Sequence, residues 1–510
     1  MTNLALTAFV MAFLLAGFAR PFLFVLAYAY IDIVSPQRIG WGPLGSLSIS
    51  LVAFILTVVM WAAREDKRGI RVSSRQLLML ALLVYCGLTT LTADFPSEAA
   101  AKWDWVWKAL VFATFLPLTL RTRLRIESLV LIMVLGVGVI IIDGALKTLL
   151  GGGGYGELKL LVDDNTGLYE GSIISTVAIC IIPLAFWLAS YGTVFRPGLL
   201  VWLFAAGITF AAILMPIGTQ ARTGLICVAV LGLLKLRSTK RRFTYLVLIA
   251  AGAAIALPLL PASFTERMST IGDHKADQSA STRVAVWAWT MDFAQSHPFG
   301  GGFDAFRQDS VAYDKVVTSK DGTNTTISTE HVIEHARAYH SSYFEMLGEQ
   351  GYPGLGMWLL LHILGVVQME RIRRRYRVPP PASAANPAPV PPGKRAPAQV
   401  ITPVDTPQTD TAWISPLADA LQQAQIVYLF GGAFVGIAFQ PFCYMLVGLQ
   451  CGLAAYVGRL DAAVHEAERM KRLLRQPTPT PPPPDPLVPD PLVAVRHPTA
   501  AGPLLGNNRG

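Results

Sequence analysis

The chain's proton-handling side chains gather in one stretch. Residues 261 to about 340 hold five of the eight histidines: His274, His297, His331, His335 and His340. Histidine is the side chain that both takes and holds a proton near neutral pH. His340 stands where this polar stretch runs into an apolar segment, as His340-Ser341-Ser342-Tyr343-Phe344-Glu345. It reads either as a general base or as a structural histidine. Upstream, Gly218-Thr219-Gln220-Ala221-Arg222-Thr223-Gly224 opens another apolar segment with an arginine. Arginine there is costly unless it meets water or an anion. Arg222 either snorkels to an interface or clamps an anion, because a guanidinium presents a planar fork to phosphate oxygens.

Other spacings carry weaker chemistry. Thr282, before Arg283 and Trp287, reads as the N-cap of an amphipathic helix over 283–295. Pro298 and Gly300-Gly301-Gly302 end that helix. The glycine run lacks the Lys-Ser/Thr of a nucleotide site. His331-Val332-Ile333-Glu334-His335 spells the H-x-x-E-H of inverted zinc peptidases. A site there would need a stable helix and a third ligand, such as Glu345 or Glu349. Asp163-Asp164-Asn165 has the charge for a divalent ion, but reads better as a turn. Cys86, Cys180, Cys227, Cys443 and Cys451 all lie in apolar runs, so they form neither a disulfide framework nor a metal site.

These side chains must be held by membrane helices. The 510 residues are 53% hydrophobic and only 15% charged, against about 25% charged in soluble domains. Apolar runs of about 15 to 25 residues recur, and each must satisfy its own backbone as a helix. The spacing predicts an all-α polytopic membrane protein with about 12 or 13 transmembrane helices. The expected organisation is N-terminal helices over 1–260, one large loop over 261–340, a helix over 341–367, a Pro-rich linker over 368–412, C-terminal helices over 413–460 and a Pro-rich tail over 461–510. The basic connections 64–75, 121–125, 235–242 and 371–377 fall on one side when spans are counted. By the positive-inside rule that side is the cytoplasm. The loop then faces outward, with 35–43, 94–103, 151–171 and 217–221. The net charge of +9 lies beside helix ends and is not a nucleic-acid signal.

Taken in order, these motifs resemble a known group. An arginine opens a helix in an RTG motif; a loop helix carries R-x-x-x-W; HPFGGGFDAF follows; H-S-S-Y-x-E-x-x-x-E-x-G opens the next helix. The pattern, over about residues 200–370, resembles the O-antigen ligase and O-antigen polymerase superfamily. RPFLFVLAYAYIDIVSPQRIGWG near the N-terminus looks like the O-glycosylation ligases associated with the exosortase A system. One departure is Ser341, where the family usually has Asn. The resemblance implies a GT-C-like architecture in a bacterial inner membrane. It also implies a metal-independent glycosyltransferase without cofactor. The donor would be an undecaprenyl-diphosphate-linked glycan, and the acceptor a protein or glycolipid at the periplasmic face. Carried over by position, Arg222 and Arg283 would bind the diphosphate and His340 would deprotonate the acceptor. Tyr343 and Glu345 are candidates to orient His340, although five residues on a helix would set Glu345 off that face. A polysaccharide polymerase would use the same donor. A transporter would instead show broken helices with midplane polar residues in two related halves.

Overall fold

The structure is a computed structural model that describes residues 2–39, 48–150, 158, 160–162, 167–238, 244, 247, 278–321, 324–377 and 411–474. The expected span 243–260 falls almost wholly outside these residues, as do His274, Asp163-Asp164-Asn165 and most of the Pro-rich linker and tail.

Among the described residues the chain folds into fourteen α-helices and one β-hairpin. The helices are α1 (Thr2–Ala19), α2 (Phe22–Val34), α3 (Pro36–Ile39), α4 (Ile49–Arg64) and α5 (Ser74–Leu91). Then come α6 (Pro96–Thr119), α7 (Arg123–Leu150), α8 (Gly171–Tyr191), α9 (Leu199–Gly218) and α10 (Arg222–Ser238). After α11 (Gln278–Ser296) and the strands β1 (Ser310–Asp321) and β2 (Asn324–His335) follow α12 (Ser342–Arg375), α13 (Ile414–Gly432) and α14 (Pro441–Leu474). Six described helices, α5, α7, α8, α9, α12 and α14, are long and apolar enough to cross a membrane, and three shorter helices are also apolar. Residues Met1–Arg459 form one compact unit. The second, Leu460–Gly510, contributes the last turns of α14 to the described residues.

The sequence explains the main boundaries. Ser73 and Gln76 form a capping box that starts α5. Pro96 sits in the first turn of α6, where its missing N–H costs nothing. Alanines then carry that helix through residues expected to be an external connection, which places Lys102 on a helix rather than in a loop. The helix expected over 283–295 begins earlier, at Gln278, so Thr282 is a buried interior residue and not its cap.

The bundle has two chemically distinct ends. At one, Arg125 pairs with Glu65 at 2.6 Å, Arg121 donates to the carbonyl of Arg68 at 2.7 Å and Arg123 donates to the carbonyl of Tyr191 at 2.8 Å. The guanidinium of Arg123 lies over Trp413. Ser415 donates to the carbonyl of Arg373, which pairs with Glu370; Arg237 reaches that same carboxylate at 3.8 Å. The described parts of all four basic connections therefore meet at one end. The other end receives the start of α6, the start of α8, the loop around α11 and the start of α12.

The hairpin is the departure from helix. β1 and β2 pair antiparallel from Ser310–His335 to Asp321–Asn324. His331 and His335 thus lie on a strand, about 13 Å apart along it at 3.3 Å per residue. The helix that a zinc site needed is absent from this segment.

Candidate active site

At the end opposite the basic connections lies a cavity of ≈ 260 Å³. His340 lies on its lining, together with Lys102, Glu345, Glu349 and residues from the start of α8. His340 stands outside α12, which begins two residues later, and adopts a left-handed backbone with φ 49°. This conformation is uncommon for a side-chain-bearing residue and costs of order 1–3 kcal/mol. Its neighbours hold it. The indole N–H of Trp287 donates to the carbonyl of Tyr339 at 2.9 Å. On the other flank, Ser342 Oγ donates to the carbonyl of Val435 and accepts the amide of Ile437, both at 2.9 Å.

Arg283 belongs to α11. One turn on, Trp287 stacks on Phe344 of α12 at 5.0 Å and 8° between planes. This contact docks the loop helix against the start of α12 and brings Arg283 toward His340. His340 keeps an exposed edge. Surrounding protein, and then the positive charges of Arg283 and Arg337, lower its pKa from the ordinary 6.5 to about 4. The imidazole is therefore neutral at physiological pH and has a free nitrogen lone pair, although the same lowering weakens it as a base.

Arg222 opens α10 after a turn in which Gln220 has φ 54°. Thr219 in that turn shares a hydrogen bond with Ser175 of α8 at 2.9 Å. The preceding residues Glu170, Ser172 and Ile173 line the cavity. Arg222 thus opens its helix beside the α8 wall, and neither it nor Arg283 is among the described lining residues. The structure brings His340 and Arg283 into electrostatic reach of one another and places Arg222 at the head of α10, next to the turn that bonds α8.

Beneath His340 lies a charged floor. The Lys102 ammonium donates to Glu345 Oε1 at 2.8 Å and to both oxygens of Glu349 at 2.8 and 2.9 Å. Asp304 approaches it at 3.9 Å. Glu349 is 0% exposed and Glu345 7%. Glu345 was expected off the His340 face of a helix. It shares the cavity because His340 is not on that helix at all, so helical spacing does not relate the two. Tyr343 points elsewhere, donating to the carbonyl of Leu429 at 3.0 Å. Tyr339 packs beside Gly348, where a Cβ would sit 2.3 Å from its hydroxyl.

The glycine run docks the loop rather than cradling a phosphate. Helix α12 is broken at Gly351, φ 62° and ψ −167°, just before Pro353. The carbonyls of Gly348 and Glu349 accept instead the amides of Gly301 and Gly302, each at 3.0 Å. Pro298 returns its carbonyl to the amide of Tyr352 at 3.0 Å. Gly301 also accepts the amide of Asp94 at 2.9 Å, tying in the α5–α6 corner.

The fold and this site define a polytopic helical membrane protein whose polar chemistry sits at one end of the bundle. Residues 207–359 match the family model described as O-Antigen ligase. Residues 1–193 match one described as a family of unknown function (DUF5935). No curated protein matches the chain. The first match supports the O-antigen ligase superfamily, and with it a membrane glycan ligase or polymerase that takes a lipid-linked glycan donor and an acceptor.

Proposed function

We propose that the protein is an inverting, metal-independent ligase that moves a glycan from undecaprenyl diphosphate to an acceptor hydroxyl at the periplasmic face of the bacterial inner membrane. The observation that carries this reading is a neutral His340 held in a strained backbone on a polar cavity, within the electrostatic reach of Arg283. The gathering of the basic connections at the other end supports the orientation, since the positive-inside rule would turn the cavity outward.

In this mechanism His340 takes the acceptor's hydroxyl proton. The freed oxygen attacks the anomeric carbon. The bond from that carbon to the phosphate oxygen breaks, and the diphosphate leaves with the electron pair. A diphosphate is already a stable anion, so it needs charge stabilisation more than protonation. Arg283 and Arg222 supply that charge. One direct displacement inverts the anomeric centre. The acceptor is a protein or a glycolipid, and the N-terminal sequence resembles that of the O-glycosylation ligases associated with the exosortase A system.

The test is purified protein in nanodiscs given an undecaprenyl-diphosphate-linked glycan with protein or glycolipid acceptors. Transfer to an acceptor that His340→Ala abolishes, with folding intact, is the expected result. Elongation of the glycan on its own lipid, with no transfer elsewhere, would instead make the protein a polymerase.

A further inference from the structure

The cavity floor is built from both matched regions of the chain. Lys102 lies in the segment matched only by a family of unknown function, whereas Glu345 and Glu349 lie in the O-Antigen ligase match. The hydrogen bonds between them span 243 and 247 residues. The start of α8, with Glu170 and Ser172, supplies a further wall from the first region. We infer that Lys102 is a positioning residue of the transfer site, and that the N-terminal region exists in part to supply it. This inference rests on the transfer reading above.

The geometry gives Lys102 more to do than neutralise charge. Its ammonium bridges two carboxylates one turn apart on α12, and so fixes the first turns of that helix. Each carboxylate then holds a further segment. Glu345 Oε2 accepts the amide of Ala438 at 3.0 Å, beside the strap whose Val435 and Ile437 hold Ser342. Glu349 Oε1 accepts the amide of Asp304 at 3.0 Å, at the end of the glycine run. The ammonium also sits 5.6 Å from the centre of the Phe303 ring and 5.7 Å from that of Phe439, within cation–π range. Four segments thus converge on one nitrogen, and His340 is the residue they leave at the rim. Without the ammonium, two buried carboxylates would face each other across one turn. The strap and helix start would separate, and His340 would leave its attack position. A misplacement of about 1 Å costs roughly 100-fold in rate.

The role predicts a loss in kcat rather than in donor binding, which falls to the arginines. In the nanodisc assay, Lys102→Met should lower kcat about 100-fold while donor KM stays within about three-fold. Lys102→Arg, which keeps a forked cation, should recover part of that loss. Lys102→Met/Glu349→Gln separates positioning from plain charge balance. It should regain thermal stability yet stay catalytically poor. Recovery of kcat in that double variant would overturn the inference, as would near-normal kcat in Lys102→Met. His340→Ala in the same assay isolates the underlying reading. If His340→Ala is inactive and Lys102→Met is not, only the role of Lys102 fails; if His340→Ala retains transfer, the transfer mechanism itself fails.

Discussion

The carbonyl of Glu349 accepts the amide of Gly302 at 3.0 Å, four residues before Pro353, which has no N–H to offer it. In an unbroken helix that carbonyl would bond to residue 353. The proline and the turn at Gly351 free it, and the loop's glycine takes the vacated place. A helix break that would otherwise leave buried polar groups unsatisfied becomes the socket for the segment that carries the glycine run. The loop is therefore registered to α12 by main-chain bonds, which require the close approach that its glycines allow.

Gly302→Ala should break this registration. Its φ is 81°, and a Cβ there would sit 2.4 Å from the Cβ of Ala93. Strain and overpacking together cost on the order of 3 kcal/mol. The expected outcome is a lowered thermal midpoint and faster proteolysis of the loop. Gly356→Ala on the same helix is the control, because a Cβ there meets nothing within 4 Å. It should be neutral or slightly stabilising, as alanine is the better helix former.

Loss of the base should outweigh loss of either cation. His340→Ala is expected to lower kcat by about 10²–10⁴, and Arg283→Ala to lower kcat/KM by about 10²–10³. Lysine at either arginine position should restore only part, since it lacks the fork. Donor titrations with Arg222→Ala decide its place. Unchanged affinity and rate would remove Arg222 from the diphosphate-binding pair.

Activity should persist to unusually low pH. His340 must be neutral to accept a proton, and its pKa is lowered to about 4. The free enzyme's kcat/KM should thus stay level as pH falls through 6.5 and drop only on approaching 4. Arg337 contributes to that lowering. Arg337→Gln should raise the pKa and move the acidic limb to higher pH. An acidic limb near 6.5 in the unaltered protein would contradict the electrostatic picture.

Chelation should leave transfer intact. The H-x-x-E-H spacing lies on β2, where positions 331 and 335 stand about 13 Å apart along the strand rather than one helix turn apart. Dialysis against EDTA followed by assay checks this. Loss of activity that added zinc restores would revive a metal site.

Much of the bundle is legible in the sequence because membrane helices are written as apolar runs with basic ends. His340 is also legible as a candidate, from its place at the mouth of an apolar run, whereas Arg283 enters only through the resemblance of the loop helix. Lys102 is not. In Glu98-Ala99-Ala100-Ala101-Lys102-Trp103 it reads as one more interfacial lysine, and its partners lie more than 240 residues away. The regular spacing of Glu345 and Glu349, one turn apart on an apolar helix, was the available signal that a cation must be found for them. The hairpin had its own signal as well. Residues 310–335 are rich in Val, Thr and Ile around an Asp321-Gly322 pair, a dipeptide that favours hairpins.

The sequence separation between Lys102 and its carboxylates also sets a schedule. A ribosome adding about 5–20 residues per second completes Lys102 roughly 12 to 50 seconds before Glu345, which lies 243 positions later. During that interval the lysine has no carboxylate to meet. Two turns from the start of α6, it can wait with its ammonium in water and its stem in the lipid. Only when α12 inserts and its carboxylates reach the waiting cation does the floor close. The floor beneath the proposed transfer site is thus among the last parts of the bundle to form.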